Sequence, residues 1–389
     1  MTTTGDQQLV KRINRSVLLR LLRAQPGLSR ARLSAHSGLT KSTVSALVRE
    51  LLDEHWLTEA SAPVAADGLG RPSTPLSING DVRVLLGVDI GVQQLRLAAV
   101  SLTGEVLASL QAPLASTDAE QVCTQTAALV SQAWQALSER GLLLSGIGVC
   151  LPGAVDEAHG TVLFAPNLGW RDLPFYLPLA RALEARGLPA TGLHLHNDAD
   201  AAALGEYEFA DGGGADPLIF VNCDVGVGAG IVLNDHLFSG ARGMAGEIGH
   251  SILQADGQLC SCGRRGCAET FIGARALGTS EGVQRAGQAL GVLIQNLDVT
   301  FNPRVLVVGG ASCSAHPSLL ATAIETAAHY ARDAGVPAPA VRAARYGELA
   351  AAVGAAAVAW HHSLRPMQQR RMSASSQGMM TMMMESTTA

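Results

Sequence analysis

One histidine and three cysteines between positions 250 and 267 restrict this chain more than any other feature. The segment reads Gly246-Glu247-Ile248-Gly249-His250, then nine residues, then Cys260-Ser261-Cys262-Gly263-Arg264-Arg265-Gly266-Cys267-Ala268-Glu269. Thiolate and imidazole are the preferred ligands of Zn²⁺, and His250, Cys260, Cys262 and Cys267 make the inventory of a closed tetrahedral site. Four protein ligands leave no open coordination position, so the metal is expected to be structural. Gly263 and Gly266 permit the φ > 0 turns that bring the three cysteines back onto one point. Buried reduced thiols or a disulfide are the competing readings. The count of seven cysteines is odd, three of them share one short window, and Met1 to Gln7 lacks the apolar run of a secretion signal. Those features favour a metal in a reducing, cytoplasmic compartment. Cys123, Cys150, Cys223 and Cys313 lie in apolar stretches and read as ordinary core residues. Glu247 and Glu269 flank the cluster, are not needed to complete it, and are free for another task.

The net charge of −5 hides an asymmetry: residues 1–72 hold ten Lys/Arg against six Asp/Glu, so the remainder is acidic. A basic head on an acidic body points to a polyanion at the head alone. No apolar run approaches transmembrane length, so no membrane partner is expected. The segment from Pro366 to Ala389, rich in Met, Ser, Thr and Gln and without periodicity, reads as a disordered tail.

Within the head, Val17, Leu18, Leu21 and Leu22 mark a helix over Arg15–Arg23, which Pro26-Gly27 ends. Ser29 caps a short helix closed by Gly38. Thr40 caps a third with the apolar stripe Val44, Leu47, Val48, Leu51 and Leu52. Two helices joined by a Gly-containing turn describe a helix-turn-helix, although a plain three-helix bundle has the same periodicity. As a DNA reader, its second helix would present Lys41, Ser42, Thr43 and Ser45 to the major groove, with Arg49 one turn on. Strands at Trp56–Thr58 and Pro75–Ile78 flank a Gly/Pro loop carrying Arg71. A hairpin placed there is a wing, and residues 1–80 read as a winged helix-turn-helix.

From Val84 onward, apolar strands alternate with glycine turns and Ala/Leu-rich helices, the pattern of an α/β body. Several strands end in Gly and Asp, as suits a cleft for phosphates or a polar ligand. The order Asp89-Ile-Gly91, Leu151-Pro-Gly153, Pro166-Asn167-Leu-Gly169-Trp170, Asn197-Asp198-Ala199, Gly246-Glu247-Ile-Gly-His250 and Cys260–Cys267 resembles the ROK family over residues 83–362. That family joins sugar kinases and sugar-responsive repressors on a two-lobed, actin-like ATPase (ribonuclease H-like) fold. The head in front resembles its xylose-repressor-like branch. The resemblance implies one lobe at 83–198, completed by 346–364, and a second at 199–345. It also implies zinc on His250, Cys260, Cys262 and Cys267. A sugar is implied to face Asn197, Asp198, Glu247, His250 and Glu269, with Asn167 near the same cleft.

In the kinases of that family Asp198 would be the base that activates the sugar hydroxyl. Phosphoryl transfer rests on positioning and stabilising phosphates, however. Where the kinases have Asp-x-Gly-Gly-Thr, this chain has Asp89-Ile-Gly91-Val92-Gln93. Where they have Gly-Thr-Gly-x-Gly, it has Asp224-Val225-Gly226-Val227-Gly228. A carboxylate beside polyphosphate repels it unless a metal intervenes. Asp200 also stands where the family commonly has Asn. The expectation is a transcriptional repressor of carbohydrate-utilisation genes, not an enzyme. Its partners would be operator DNA, a small sugar effector and a second copy of the chain, with a tetramer as the larger assembly. An ATP-dependent sugar kinase with an added DNA-binding head is the alternative, and a dimerisation platform answering to a protein is a third reading.

Overall fold

The computed structural model describes residues 6–60, 74–190, 192–209, 214–241 and 243–366. The head opens with α1 (Gln7–Ala24), α2 (Arg30–Ser37) and α3 (Lys41–Asp53), followed by the antiparallel strands β1 (Leu57–Glu59) and β2 (Leu76–Ile78). Ser29 and Thr40 cap α2 and α3 by accepting from Arg32 N and Thr43 N, and Gly38 closes α2 at φ +70°. Helix α1 begins at Gln7, eight residues before the expected start at Arg15. Asp6 caps it, and Lys11 and Arg15 pair with Glu50 and Glu54 at the end of α3. The apolar signal covers only the inward face of the last turns, while ion pairs and a cap hold the first. The wing tip with Arg71 lies outside the described residues.

The first lobe contains β3 (Arg83–Ile90), β4 (Gln94–Ser101), β5 (Val106–Pro113), α4 (Ala119–Ser138) and β6 (Leu143–Leu151). It continues with β7 (Ala154–Asp156), β8 (Thr161–Ala165), β9 (Trp170–Pro174), α5 (Tyr176–Glu184), β10 (Leu193–Asn197) and α6 (Asp198–Phe209). The second lobe contains β11 (Leu218–Cys223), β12 (Val227–Leu233), β13 (His236–Leu237), α7 (Glu269–Ile272) and α8 (Ser280–Phe301). After these come β14 (Val305–Gly309), α9 (Ala311–Ala315), α10 (Pro317–Asp333) and β15 (Val341–Ala343), and the chain then returns to the first sheet with α11 (Ala350–Ser363).

The two main sheets share one plan. In the first, β3, β4 and β5 form an antiparallel meander, and β6 and β10 extend it in parallel on the other side of β3. In the second, β11, β12 and β13 form the meander, and β14 and β15 the parallel extension. This duplicated strand order is the two-lobed, ribonuclease H-like architecture. A small sheet, β7-β8-β9, is inserted after β6. Its strands are short and its turns carry Pro166 and Gly169, so periodicity alone did not reveal it.

Helices α6 and α11 lie between the lobes, sharing one core with Leu218, Phe220, Val232 and Val307 of the second sheet. Gly87 and Gly148 sit side by side on β3 and β6. A Cβ at either would lie 1.9 or 1.8 Å from the carbonyl oxygens of Ala352 and Ala355, so the alanine-rich α11 rests almost on the strand backbone. The described residues include Pro366, where the tail is expected to start. Arg365 and Pro366 are buried after α11, and residues 367–389 lie outside the described residues.

The head is docked rather than tethered. Leu18, Leu22, Leu33, Val44 and Leu51 share a core with Leu85, Ala98, Val100 and Trp360 of the body. Trp56 stacks on Trp360 with centroids 5.8 Å apart, and the Arg83 guanidinium covers the Trp56 ring at 4.1 Å.

Candidate functional site

Between the lobes lies a cavity of about 500 Å³, walled by the ends of β3, β6, β10 and β11 and by the loop that follows β13. Asn167, Asn197, Asp198, Glu247, His250 and Glu269 all line it, although they come from four separate segments. Asn167 reaches it from the β8–β9 turn. Asn197 also caps α6: its Oδ1 accepts from Ala199 N and Asp200 N at 2.9 and 3.1 Å, and its Nδ2 donates to Gly153 O at 2.9 Å. That leaves the side chain one unassigned N–H. Asp198 accepts from Ala199 N and from Asn222 Nδ2. Burial, reinforced by Asp89, pushes its carboxyl up to about 7.

The cavity is also lined by Asp89, Arg96, Asp224 and Glu348, together with the glycine loops 91–93 and 224–228. Burial lifts Asp89 to about 6, opposed by Arg96, whose guanidinium nitrogen lies 3.2 Å from Asp89 Oδ2. Asp224 is raised by burial and by Glu348, against the same arginine. Each of these carboxylates resists sharing the cleft with a further negative charge. Sequence reasoning did not single out Arg96. The signal was there in hindsight, because Asp89 and Arg96 are register partners across the β3–β4 hairpin.

The His/Cys segment folds onto one point as expected. The ligand atoms of His250, Cys260, Cys262 and Cys267 lie within 4.8 Å of one another, a cluster that can hold a metal ion. The sulfurs of Cys262 and Cys267 are 3.7 Å apart, and Cys260 Sγ is 3.7 Å from His250 Nδ1. A tetrahedron with bonds of ~2.3 Å has edges of ~3.8 Å; a disulfide needs about 2.05 Å. Gly263 and Gly266 adopt φ +86° and +74°. His250 turns its other ring nitrogen toward Glu247, at 3.9 Å, so the ring links the cluster to the cavity wall. Glu269 accepts from Ser261 Oγ and Val227 N, joining the cluster to the second glycine loop.

On the head, Lys41, Ser42, Ser45 and Arg49 are exposed along one side of α3, while Thr43 is half-buried. The Ser42 and Thr43 hydroxyls both bond the capping Thr40 hydroxyl, at 2.9 and 2.8 Å. Not all of the basic charge is available to a polyanion. Lys11 and Arg15 are paired within the head, and Arg30 with Glu59. Arg20 and Arg23 turn inward to the body. Arg23 pairs with the fully buried Glu208 near the end of α6, and Arg20 with Asp235 of the β12–β13 turn at 3.1 Å. Arg365 binds both carboxylates, His361 Nδ1 lies 2.6 Å from Glu208, and Tyr207 donates to Asp235 at 2.6 Å. Charge counting could not distinguish these structural arginines from exposed ones.

Comparison with known proteins agrees with this geometry. Residues 85–282 match the ROK family, and residues 12–58 match a winged helix-turn-helix DNA-binding family. A putative xylose repressor of Caldicellulosiruptor sp. (strain Rt8B.4) is 35% identical over 277 residues, which cover 70% of this chain and 67% of that protein. A crystal structure of a ROK family transcriptional regulator, a homologue of the E. coli MLC protein, superposes with a TM-score of 0.70 at 25% identity. That match covers 92% of this chain and 97% of the other. A ROK family glucokinase from Streptomyces griseus, solved with glucose and AMPPNP, gives a TM-score of 0.60 at 28% identity, covering 71% of this chain and 98% of its own.

Proposed function

The chain belongs to the ROK family, and we propose that it is a transcriptional repressor whose body binds a sugar and transmits that binding to a DNA-reading head. The observation that carries this reading is the unequal cavity. Its sugar half gathers carboxylates and amides suited to vicinal hydroxyls. Its phosphate half carries Asp89, Asp224 and Glu348, and the arginine among them, Arg96, is already held by Asp89. Polyphosphate would enter against that charge. Asp198 then serves as a hydrogen-bond partner to a sugar hydroxyl rather than as a catalytic base.

The donor set and spacing of His250, Cys260, Cys262 and Cys267 suit a structural Zn²⁺. Bound there, the ion supplies rigidity. Glu247, His250 and Glu269 are then presented to the sugar from a fixed loop, with Asn167, Asn197 and Asp198 facing them from the other lobe. A ligand gripped from both sides favours the closed arrangement of the lobes.

Coupling runs through α6. The helix starts at Asp198 in the cavity, and Glu208, roughly 15 Å along it at 1.5 Å per residue, holds Arg23 of the head. Asp235, on the second lobe, holds Arg20 of the same head helix. A change in lobe spacing therefore acts on α1 at two points. Lys41, Ser42, Thr43, Ser45 and Arg49 meet DNA, with Arg71 on the wing. Two heads of a homodimer read half-sites about 34 Å apart.

The test uses the full chain and a duplex selected in vitro from random sequence, with fluorescence anisotropy read during titration with monosaccharides, xylose and glucose among them. At least one sugar should weaken DNA binding fivefold or more, the low end of usual allosteric couplings. Unchanged affinity with every sugar defeats the reading. Sugar-dependent release of ADP from ATP would instead establish a kinase.

A further inference from the structure

We propose a second metal site, separate from the cysteine loop, formed by Glu157, His196 and His362. Glu157 follows β7, His196 lies on the edge strand β10, and His362 is in the last turn of α11. Their ligand atoms lie within 4.8 Å of one another. Strand alternation explains the placement: Leu193 and Leu195 face the core under α4 and α5, so His194 and His196 face the other way, toward α11.

Both histidines are almost fully buried, at 3% and 5% exposure. The Nδ1 atoms of both lack a hydrogen-bond partner among the described residues. His196 Nδ1 is in close contact with a Glu157 carboxylate oxygen, but not aligned for an N–H···O bond. A buried ring nitrogen left unpaired costs about 1–3 kcal/mol, and two side by side call for a shared partner. A cation satisfies a lone pair on each ring and the carboxylate together. His362 is fixed in orientation by parallel stacking on His194, with centroids 4.3 Å apart and planes within 4°. Glu157 is 26% exposed, which gives an ion a way in and leaves a position open to water.

Two imidazoles and one carboxylate form a donor set suited to Zn²⁺ and similar borderline divalent ions, with water as the fourth ligand. Mg²⁺ and Ca²⁺ prefer all-oxygen shells and are not expected. Occupancy opens the Glu157–His196 contact to the ~3.4 Å edge of a tetrahedron with bonds of about 2.1 Å. The ion then ties together β10, which ends at Asn197 and leads directly into Asp198, and the end of α11, where His361 and, just past the helix, Arg365 hold Glu208.

The test is Co²⁺ titration of chelator-stripped full-length protein, with the near-ultraviolet thiolate-to-cobalt band separating the two sites. The wild type should take two equivalents, one developing that band and one adding only weak visible absorption. Glu157→Gln, at a partly exposed turn position, should weaken the band-free equivalent roughly tenfold or more and leave the thiolate band unchanged. Cys262→Ser should lose the band and keep the other equivalent. A wild type that binds one equivalent only, or a second equivalent of unchanged affinity in folded Glu157→Gln, overturns the proposal.

Discussion

Replacing Arg23 by Met removes the head's deepest ionic contact with the body and leaves the exposed side of α3, with Lys41, Ser42, Ser45 and Arg49, untouched. Glu208 is fully buried and Arg23 is 13% exposed. Deleting one partner of such a pair usually costs 3–5 kcal/mol, because a bare charge stays behind. Here Glu208 keeps Arg365 at 2.9 Å and His361 at 2.6 Å. The loss therefore approaches that of one charge-assisted hydrogen bond, about 2 kcal/mol. Met retains the apolar stem where Arg23 lies over the Tyr207 ring. Urea unfolding should show a drop of that size with the fold intact. Operator affinity without sugar should stay within about threefold of wild type, since Arg23 points into the body. The sugar response should shrink from the usual 5–150-fold range to below about threefold. Anisotropy with and without saturating sugar measures both quantities. A folded Arg23→Met protein that answers the sugar as fully as wild type refutes the coupling route through α6.

Gly246→Ala should be strongly destabilising, by about 3 kcal/mol or more, because φ is +91° and a Cβ would lie 1.9 Å from Ala229 O; thermal melting checks it, and a near-wild-type Tm contradicts it. Cys262→Ser should lower bound zinc, the melting temperature and sugar affinity together, read by metal analysis and calorimetry; normal sugar affinity in the zinc-free variant would separate the loop from the pocket. Stability should also fall as pH rises from ~4 to ~6. Asp89 is raised to about 6 in the fold against about 3.9 unfolded, so its contribution is full below pH ~4 and is lost as pH rises through 6. The change is on the order of 2–3 kcal/mol. Asp89→Asn should flatten that part of the stability–pH curve, and an unchanged slope would exclude Asp89 as its source.

What could be read in advance follows from how local each signal is. The caps Ser29 and Thr40 and the turn at Gly38 are set by neighbours in sequence, and the structure has them where the pattern predicts. The His/Cys loop was legible because its chemistry is confined to 18 residues. The β7–β9 sheet was not, since its short strands carry no periodicity. The inward role of Arg20 and Arg23 was hidden for a different reason: their partners lie 215 and 185 residues away. The same holds for His196 and His362, which look like isolated core histidines until β10 and α11 are brought together.

The central claim is that this fold senses a sugar without phosphorylating it. Its most direct test is one titration in which operator affinity and ADP release are followed together, with Mg-ATP present, as a sugar that raises the melting temperature is added. The account predicts that operator binding weakens at least fivefold while ADP stays at background. Sugar-dependent ADP production, or tight sugar binding that leaves operator affinity unchanged, would contradict it.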